Sequence, residues 1–354
     1  MQLQRPVRIG LVGFGAGGAL FHAPYIEAAP DVELAGVVTR NPARRALLAE
    51  QFPAAPLYGS LAEMVDAERA GAGLDAVTIT TPPQTRRDLV LEALARGLHV
   101  VADKPFAPNA AGAVELDEAG RRAGLVLSVY HNRRWDSDIR TIRALVQRGR
   151  LGRVRWFHSR LDLDEPSGLE GGPTGGLVRD LGSHLVDQAL WLFGPVDRVF
   201  AEFEWGETAA GSTDVAFDIT LSHRDGVTSR ISATKLNKVD DRELRVYGEL
   251  GSYAAHSIDV QVKDLQRGRR PGTDPAAWGF EPESAWGTLR TDAGAQQVPA
   301  EQGSYVDYYR RFAAAVRGEA PPPVSAAEAV AVLEVLDAAR VSATEGVVVR
   351  PVRE

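Results

Sequence analysis

A glycine-rich segment near the start of the chain constrains its fold more than any other feature. Gly13-Phe14-Gly15-Ala16-Gly17-Gly18 follows the apolar run Val7–Val12 and leads into a helical pattern over Ala19–Ala29. In a strand-turn-helix unit, Gly13 permits the tight turn, Gly15 lets a pyrophosphate approach the backbone, and Gly18 allows close helix-strand packing. The alternative is a flexible glycine-rich turn. Its place within a β-α-β pattern favours a dinucleotide site at the helix N-terminus.

The chain up to Tyr130 alternates short apolar runs with helical patterns. Strands separated by helices need crossover connections, and these build a parallel sheet with helices on both faces. The predicted strands are Val7–Val12, Glu33–Thr39, Leu74–Thr80, His99–Ala102 and Leu125–Val129, and the predicted helices are Ala19–Ala29, Pro42–Gln51, Thr85–Arg96 and Ala110–Ala123. The pattern predicts an α/β fold that begins with a doubly wound Rossmann domain over residues 1–128.

Beyond Tyr130 the predicted strands are longer and alternate apolar with polar residues, which is typical of antiparallel sheets with one open face. The strands are Val154–Leu163, Val199–Trp205, Val215–His223 and Ser229–Leu236, and the helices are Ile139–Gln147, Tyr305–Val316 and Ala326–Ala343. We therefore expect an α+β domain over residues 129–354 with a large, mostly antiparallel open sheet. The last two helices are expected to pack back onto the body.

Composition excludes several classes of protein. The 354 residues carry a formal charge of -7, so no broad basic field is available for nucleic acid or an anionic membrane surface. No segment is long and apolar enough to span a bilayer, and the start leads into a strand without a signal-peptide pattern, so we expect a cytoplasmic protein. The absence of cysteine excludes disulfides, thiolate metal ligands and a cysteine nucleophile.

The end of the second strand bears on the choice of cofactor. Thr39 and Arg40 stand where an acidic residue would bind the ribose hydroxyls of NAD, and Arg44 and Arg45 follow one turn later. A hydroxyl and guanidinium groups suit a 2'-phosphate, so NADP is favoured over NAD. The alternative is a set of solvated arginines, because strands without the acid also occur in NAD-binding proteins.

Two later strand ends carry further candidates. Thr81-Pro82-Pro83-Gln84 and Asp103-Lys104-Pro105 each follow a predicted strand, at the edge where such sheets bind ligands. Lys104 there would lie near the nicotinamide and could hydrogen-bond a reacting oxygen, although a surface lysine in a turn is the alternative. The expected cofactor contacts are Gly13, Phe14, Gly15, Ala16, Gly18, Thr39, Arg40, Arg44, Thr81, Pro82 and Lys104.

A second motif follows another glycine pair, Gly175-Gly176. If this segment is helical, the spacing places Asp180, His184 and Asp187 on one face. Histidine is suited to act as the general base for an alcohol, because its pKa lies near neutrality. A capped helix with a hydrogen-bonded core histidine is one alternative, and a metal site is another. We expect no metal, because hydride transfer needs none.

The segment after the sixth strand offers hydrogen-bond donors for a substrate. Tyr130, His131, Asn132 and Arg133 follow one another there, and we expect them to bind substrate hydroxyls. The alternative is an interdomain hinge packed by polar residues.

Three motifs in this order together resemble the glucose-fructose oxidoreductase, inositol dehydrogenase and rhizopine catabolism (GFO/IDH/MocA) family: GFGAGG, HVVADKP at 99–105 and GGLVRDLGSHLVDQA at 175–189. The resemblance implies a Rossmann domain followed by an open-sheet domain for substrate binding and oligomerisation, and hence a homodimer or homotetramer. It also implies that Lys104, Asp180 and His184 are the catalytic residues. Asp103 departs from the family's usual glutamate. The segment FHAPYI and residues 129–136 resemble the NADP-dependent scyllo-inositol dehydrogenase subgroup.

Motifs and resemblance together predict an NAD(P)-dependent dehydrogenase or reductase. It would transfer a hydride between the nicotinamide and a secondary alcohol or ketone of a sugar or inositol-like polyol. Two other functions stay open. One is a non-catalytic NAD(P)-binding sensor, and the other is a reductase of a non-sugar substrate.

Overall fold

The computed structural model describes residues 5–172, 175–209, 211–256 and 259–351, which form two compact units. The first unit holds the described residues up to Asn132 together with Gln261–Trp278 and Ser304–Val330. The second holds Arg133–Val260, Gly279–Gly303 and the described residues from Ala331 onward. The sequence placed one boundary after residue 128, whereas two later segments cluster with the first unit. The local sequence pattern of a segment does not show with which distant part of the chain that segment packs.

The first unit contains a six-stranded parallel sheet with the order β3-β2-β1-β4-β5-β6, so the predicted Rossmann fold is confirmed. Its strands are β1 (Val7–Val12), β2 (Val32–Val38), β3 (Leu57–Tyr58), β4 (Ala76–Ile79), β5 (His99–Ala102) and β6 (Leu127–Val129). The strand order reverses between β1 and β4, which is where sheets of this kind bind ligands. The two-residue strand β3 is too short for its pattern to have been recognised.

The second unit contains an eight-stranded sheet with the order β14-β13-β12-β11-β7-β10-β9-β8. Its strands are β7 (Val154–Asp164), β8 (Val196–Thr208), β9 (Gly211–His223), β10 (Thr228–Thr234), β11 (Leu236–Gly248), β12 (Ser252–His256), β13 (Thr288–Thr291) and β14 (Gly294–Gln297). Only the β7–β10 pairing among these neighbours is parallel in the described residues. The predicted open, mostly antiparallel sheet is confirmed, but β11, β12, β13 and β14 were not predicted.

The helices connect and cover these sheets. They are α1 (Ala23–Ala28), α2 (Pro42–Gln51), α3 (Leu61–Arg69), α4 (Pro83–Ala95), α5 (Ala110–Ala123), α6 (Ser137–Gln147), α7 (Ser183–Phe193), α8 (Val260–Gln266), α9 (Val306–Val316) and α10 (Ala326–Glu345). Helices α1 and α7 are preceded by π-helical turns at Gly17–His22 and Val178–Gly182. The first turn replaces the start of the predicted helix Ala19–Ala29. In the described ranges, no helix combines the length and apolar composition needed to cross a bilayer.

Buried side chains fix the strand ends that carry the candidate residues. The ring of Phe14 packs edge-on against Phe52 at 6.1 Å, within a core cluster that also holds Leu11, Val37 and Leu48. The Asn41 side chain accepts hydrogen bonds from the first turn of α2, and Ser60 does the same for α3. These contacts hold the glycine-rich turn and the end of β2 against one core.

In the second unit, burial alternates along the strands of the large sheet. Along β10, Ser229, Ile231 and Ala233 are buried, while the residues between them are partly or fully exposed. Trp156 on β7 remains 48% exposed. One face of the sheet is therefore covered and the other is open, as the alternation of the sequence predicted.

Candidate functional site

A pocket of about 680 Å³ lies in the first unit, where β1, β2 and β4 end. The predicted cofactor contacts Gly13, Phe14, Gly15, Thr39, Arg40, Arg44, Thr81 and Pro82 line it, together with Asn41, Ser60 and Thr80 among others. Ala16 is exposed, and Gly18 is buried behind the turn. The switch point of the sheet thus brings together residues that are up to about 70 positions apart in the sequence.

Glycine is required at two positions of the turn. Gly13 has φ of +105°, and a β-carbon there would lie 2.8 Å from the carbonyl oxygen of Thr80. A β-carbon on Gly18 would overlap the carbonyl oxygen of Gly13. The glycines allow the helix, β1 and β4 to approach closely, which leaves the backbone turn accessible to a dinucleotide pyrophosphate. The pocket therefore fits the predicted cofactor.

Phe14 and Arg44 were both predicted to contact the cofactor, and the structure places their side chains differently from that expectation. The Phe14 side chain is buried in the core, so this residue presents its backbone to the pocket. A β-carbon on Gly15 would collide with the guanidinium of Arg44, which lies directly over the turn. Arg44 is thus close to the place predicted for the pyrophosphate as well as to the end of β2.

The end of β2 presents cations to the pocket. Arg40 and Arg44 are both exposed and line it. Arg45 is held differently, because its Nε donates to the carbonyl oxygen of Thr39 at 3.2 Å. Two arginines are thus available for a phosphate, while the third supports the backbone.

The turn after β5 carries Lys104, which is half-buried. Its backbone N–H donates to Oδ1 of Asp103 at 2.8 Å, and the hydroxyl of Thr80 donates to Oδ2 at 2.8 Å. Arg86 is buried and donates through Nη2 to the carbonyl oxygen of Thr81 at 2.7 Å and through Nη1 to that of Pro105. Asp103 and Arg86 therefore tie the Lys104 turn to the end of β4.

A buried histidine completes this network. His22 Nδ1 lies 2.6 Å from the hydroxyl of Tyr309, and its Nε2 lies 3.5 Å from Oδ2 of Asp103. Burial favours the neutral form of Asp103, but the hydrogen bond and charge of His22, with the charges of Arg86 and Lys104, hold the pKa of this carboxyl well below its usual value. Sequence reasoning missed His22, although it lies within the FHAPYI segment that marked the subgroup.

The four predicted substrate residues after β6 are mostly buried. Tyr130 is 1% exposed, its hydroxyl donates to the carbonyl oxygen of Phe21 at 2.5 Å, and its ring packs beside that of His22. We therefore assign Tyr130 a packing role in place of the predicted substrate contact. His131 and Asn132 are also buried, and Arg133 lies 3.2 Å from Asp136. For these three, substrate binding stays a prediction.

In the second unit, the segment that carries Asp180 and His184 is helical, as the spacing argument required. Asp180 lies in the π-helical turn Val178–Gly182, and His184 lies in the first turn of α7 and is buried. Oδ2 of Asp180 accepts a hydrogen bond from Nζ of Lys235 at 2.8 Å. Sequence analysis did not identify Lys235, because the predicted strand Ser229–Leu236 runs through it.

The third residue of the predicted helix face has another role. Both carboxylate oxygens of Asp187 accept hydrogen bonds from Arg134, at 2.6 Å from Nη2 and 2.9 Å from Nε. Both side chains are buried, so this is a structural ion pair. Within the described ranges, no group of three or more histidine, aspartate or glutamate residues is arranged to hold a metal ion.

Asp214 on β9 supports the start of the π-helical turn. Its Oδ2 accepts the backbone N–H of Val178 at 2.6 Å, and its Oδ1 lies 2.8 Å from Nη2 of Arg340. A β-carbon on Gly176 would overlap this carboxylate, so the glycine lets the chain pass directly over it. The turn that carries Asp180 is thus fixed at its first residue by a buried acid.

Comparison with known proteins identifies the family to which the chain belongs. Residues 7–131 match the model described as the oxidoreductase family with an NAD-binding Rossmann fold, and residues 139–254 match the GFO/IDH/MocA C-terminal domain. The uncharacterized oxidoreductase YdgJ of Escherichia coli is 33% identical over 94% of each chain. The scyllo-inositol 2-dehydrogenase (NADP(+)) IolW of Bacillus subtilis is 30% identical over 96% of this chain and 94% of its own.

Solved structures extend the likeness to the whole chain. The structure of YPO2259 from Yersinia pestis is 33% identical, has a TM-score of 0.86, and matches over 99% of both chains. Both units therefore have the architecture of known relatives. The chain belongs to the GFO/IDH/MocA family of oxidoreductases, and its first unit is that family's NAD(P)-binding Rossmann domain.

Proposed function

We propose that this protein is an NADP-dependent oxidoreductase that interconverts a secondary alcohol and a ketone on a sugar or an inositol-like polyol. The observation that carries the proposal is the glycine-lined pocket at the ends of β1, β2 and β4, which the turn carrying Lys104 joins through Asp103 and Thr80. The similarity to IolW, a relative named as a scyllo-inositol dehydrogenase, supports this class of substrate.

The preference for NADP rests on charge. Arg40 and Arg44 are exposed at the pocket, and the residue at the end of β2 is Thr39 in place of an acid. Guanidinium groups bind phosphate oxygens through charge-assisted hydrogen bonds, whereas an acid at this place would repel a 2'-phosphate. Gly13, Gly15, Thr81 and Pro82 would hold the rest of the cofactor.

The bound nicotinamide supplies or accepts the hydride. In the proposed reaction, His184 takes the proton of the substrate hydroxyl in the oxidative direction and returns it in the other. Lys104 donates a hydrogen bond to the same oxygen and stabilises the negative charge that develops on it. Asp180 accepts hydrogen bonds from substrate hydroxyls and orients the ring. These roles follow the family motifs that the three residues match.

The proposal includes a homodimer or homotetramer that forms through the open face of the large sheet. Trp156 on β7, Phe200 on β8 and Tyr247 on β11 belong to this face, and Trp156 and Phe200 are 48% and 39% exposed. Apolar and aromatic side chains are common at subunit interfaces. Light scattering of the purified protein tests this part, because a monomer at micromolar concentration would contradict it.

The main test is a titration of the purified protein with NADPH and NADH, followed by a turnover screen with NADP+ on scyllo-inositol, myo-inositol and aldoses. We expect tighter binding of NADPH and turnover of at least one polyol or sugar. The H184A variant should lose about 10² to 10⁴ in kcat, the range of general acid-base catalysis. H256A is the matched control, because His256 is an exposed histidine on β12 of the same unit.

Each outcome distinguishes the proposal from its rivals. Binding of NADPH without turnover of any sugar or polyol would contradict the proposed activity and favour a sensor or a reductase of another substrate. Full turnover by H184A at every pH would remove His184 from the mechanism.

A further inference from the structure

Lys235 is a buried lysine that the family motifs do not explain. It lies at the break between β10 and β11 and is 6% exposed. Removing an ammonium group from water costs several kcal/mol unless partners compensate for the lost hydration. The contacts of the Lys235 ammonium group therefore indicate the role of this residue.

The ammonium group meets three acceptors. Nζ donates to Oδ2 of Asp180 at 2.8 Å and to the carbonyl oxygen of Gly168 at 2.9 Å, and it lies 3.8 Å from Oε2 of Glu165. Asp180 is the more exposed member of the pair, with 28% of its side chain accessible. The lysine thus holds one oxygen of the carboxylate from the protein side.

Stability alone does not account for this pair. Replacing both members of a buried ion pair by apolar residues of similar volume is often neutral or stabilising, so the presence of the pair is weak evidence for a role in stability. What the pair does supply is orientation, because a carboxylate with one oxygen fixed no longer rotates freely about its Cβ–Cγ bond. Preorganised acceptors of this kind contribute to rate by lowering the entropy lost in the transition state.

We infer that Lys235 is a positioning residue for Asp180: it fixes the orientation of the carboxylate that contacts the substrate. The inference rests on the proposed role of Asp180, and Lys235 itself acts through Asp180 without touching the reacting atoms. It predicts that the effect of Lys235 on turnover disappears when Asp180 can no longer act.

A purely structural role would have a different signature. The backbone carbonyl of Lys235 accepts the N–H of Glu165 at 3.1 Å, and its ammonium binds the Gly168 carbonyl, so the residue also ties down the segment 165–168. If this were its whole role, the loss of the side chain would lower stability and would lower activity to a similar extent whether or not Asp180 is present.

The experiment is a double-mutant cycle of K235M, D180N and the double variant, assayed with NADP+ and the polyol or sugar identified by the screen. We expect K235M to lower kcat about 10- to 100-fold with the NADPH Kd unchanged, and the double variant to be no slower than D180N alone. K238M is the matched control. Lys238 makes a 2.8 Å contact with Asp164, but its side chain is 81% exposed, so its loss should leave kcat unchanged.

K235Q is the second variant, since it keeps a neutral hydrogen-bond donor for the segment 165–168 and removes the charge that binds Asp180. It should fold like the wild type and reproduce the loss of kcat. Additive effects of K235M and D180N, or full kcat in K235Q, would overturn the inference and leave the proposed function intact. Full activity of D180N, or no turnover by the wild type, would instead contradict the proposed function, and the inference would fall with it.

Discussion

The proposed catalytic residues of the two units are anchored by opposite charges. In the first unit a partly buried acid, Asp103, fixes the turn that presents Lys104, and it is held in turn by Thr80 and His22. In the second unit a buried lysine, Lys235, fixes the acid Asp180. Lys235 therefore binds the proposed catalytic carboxylate directly, whereas Asp103 binds the backbone of Lys104 and acts on its charge at longer range.

The two anchoring residues, Asp103 and Lys235, differ in their distance along the sequence from the residue that each one anchors. Asp103 is adjacent to Lys104, so the anchor and the proposed catalytic group belong to one motif. Lys235 is separated from Asp180 in the sequence by α7 and the strands β8, β9 and β10, and it reaches Asp180 because β10 ends there. An anchor that is local in the sequence can be recognised from a motif, whereas a nonlocal anchor requires the fold.

Among the variants that test this comparison of the two anchors, we expect the largest effect from the loss of Lys104 itself. K104M should lower kcat by about 10³, because it removes a donor to the oxygen on which charge develops. The NADPH Kd should change less than tenfold, since the residues that line the pocket, such as Gly13, Arg40 and Thr81, stay in place. Steady-state kinetics and fluorescence titration measure the two quantities. A K104M enzyme with normal kcat would show that the Asp103 network anchors a turn without catalytic importance.

Loss of the local anchor should have the next largest effect. D103N keeps the size of the side chain but removes the charge that faces His22, so the Lys104 turn loses its fixed orientation. We expect kcat to fall by about 10², the cost of a small misplacement at a reacting centre. E115Q is the matched control and should leave kcat unchanged, because Glu115 on α5 forms an exposed pair with Arg87 on α4. If D103N and K235M affect only stability, both anchors are structural.

The same variant has a defined dependence on pH. Because the pKa of Asp103 is lowered in the folded protein, its carboxylate stabilises the fold fully above the unfolded pKa of about 4, and this contribution is lost as the pH falls below that value. The difference in Tm between the wild type and D103N should thus shrink as the solution is acidified below about pH 4. Thermal unfolding across this range measures it. A difference that grows on acidification would mean that Asp103 is protonated in the native state.

A third variant, R40S, tests cofactor binding independently of the anchoring residues Asp103 and Lys235. R40S removes a cation from the pocket and should raise the NADPH Kd about tenfold, which is the cost of one charge-assisted hydrogen bond at an exposed site. The NADH Kd is the internal control and should not change. An equal effect on both cofactors would show that Arg40 does not contact the 2'-phosphate. The size of the K235M effect should be the same with or without R40S.

The same distinction between local and nonlocal contacts determines which parts of the fold the sequence predicts. The Gly13–Gly18 turn, the strands β1 and β5, and the helices α2 and α5 were predicted with their observed bounds or nearly so, because each has a local signal. Helix α3 was missed although Leu61, Met64 and Val65 have helical spacing. The predicted strand Ser229–Leu236 passes over the break that Lys235 occupies, since alternation alone does not show where one strand ends and the next begins.

The candidate site shows the same limit. The motifs named Lys104, Asp180 and His184, but no local pattern indicates that His22 pairs with Asp103, that Tyr130 is enclosed in an aromatic cluster, or that Asp187 is used by Arg134. Each of these contacts joins residues from separate elements. The side chains that support a site are fixed by tertiary packing, and they are therefore the part that sequence reasoning does not reach.

The smallest expected effect tests whether the second unit depends on Lys235 alone. R340Q removes the partner of Asp214, which holds the first residue of the turn that carries Asp180. Arg340 is partly exposed, so solvent screens the pair, and we expect a loss of about 1 kcal/mol in the stability of the second unit. Because the hydrogen bond from Val178 to Asp214 remains, kcat should fall only about two- to fivefold. R122Q is the control and should change neither quantity, because Arg122 forms an exposed pair with Glu118 on α5. A loss of kcat as large as that of K235M would show that Asp180 is positioned by the whole turn, and the two units would then differ in more than the sign of their anchors.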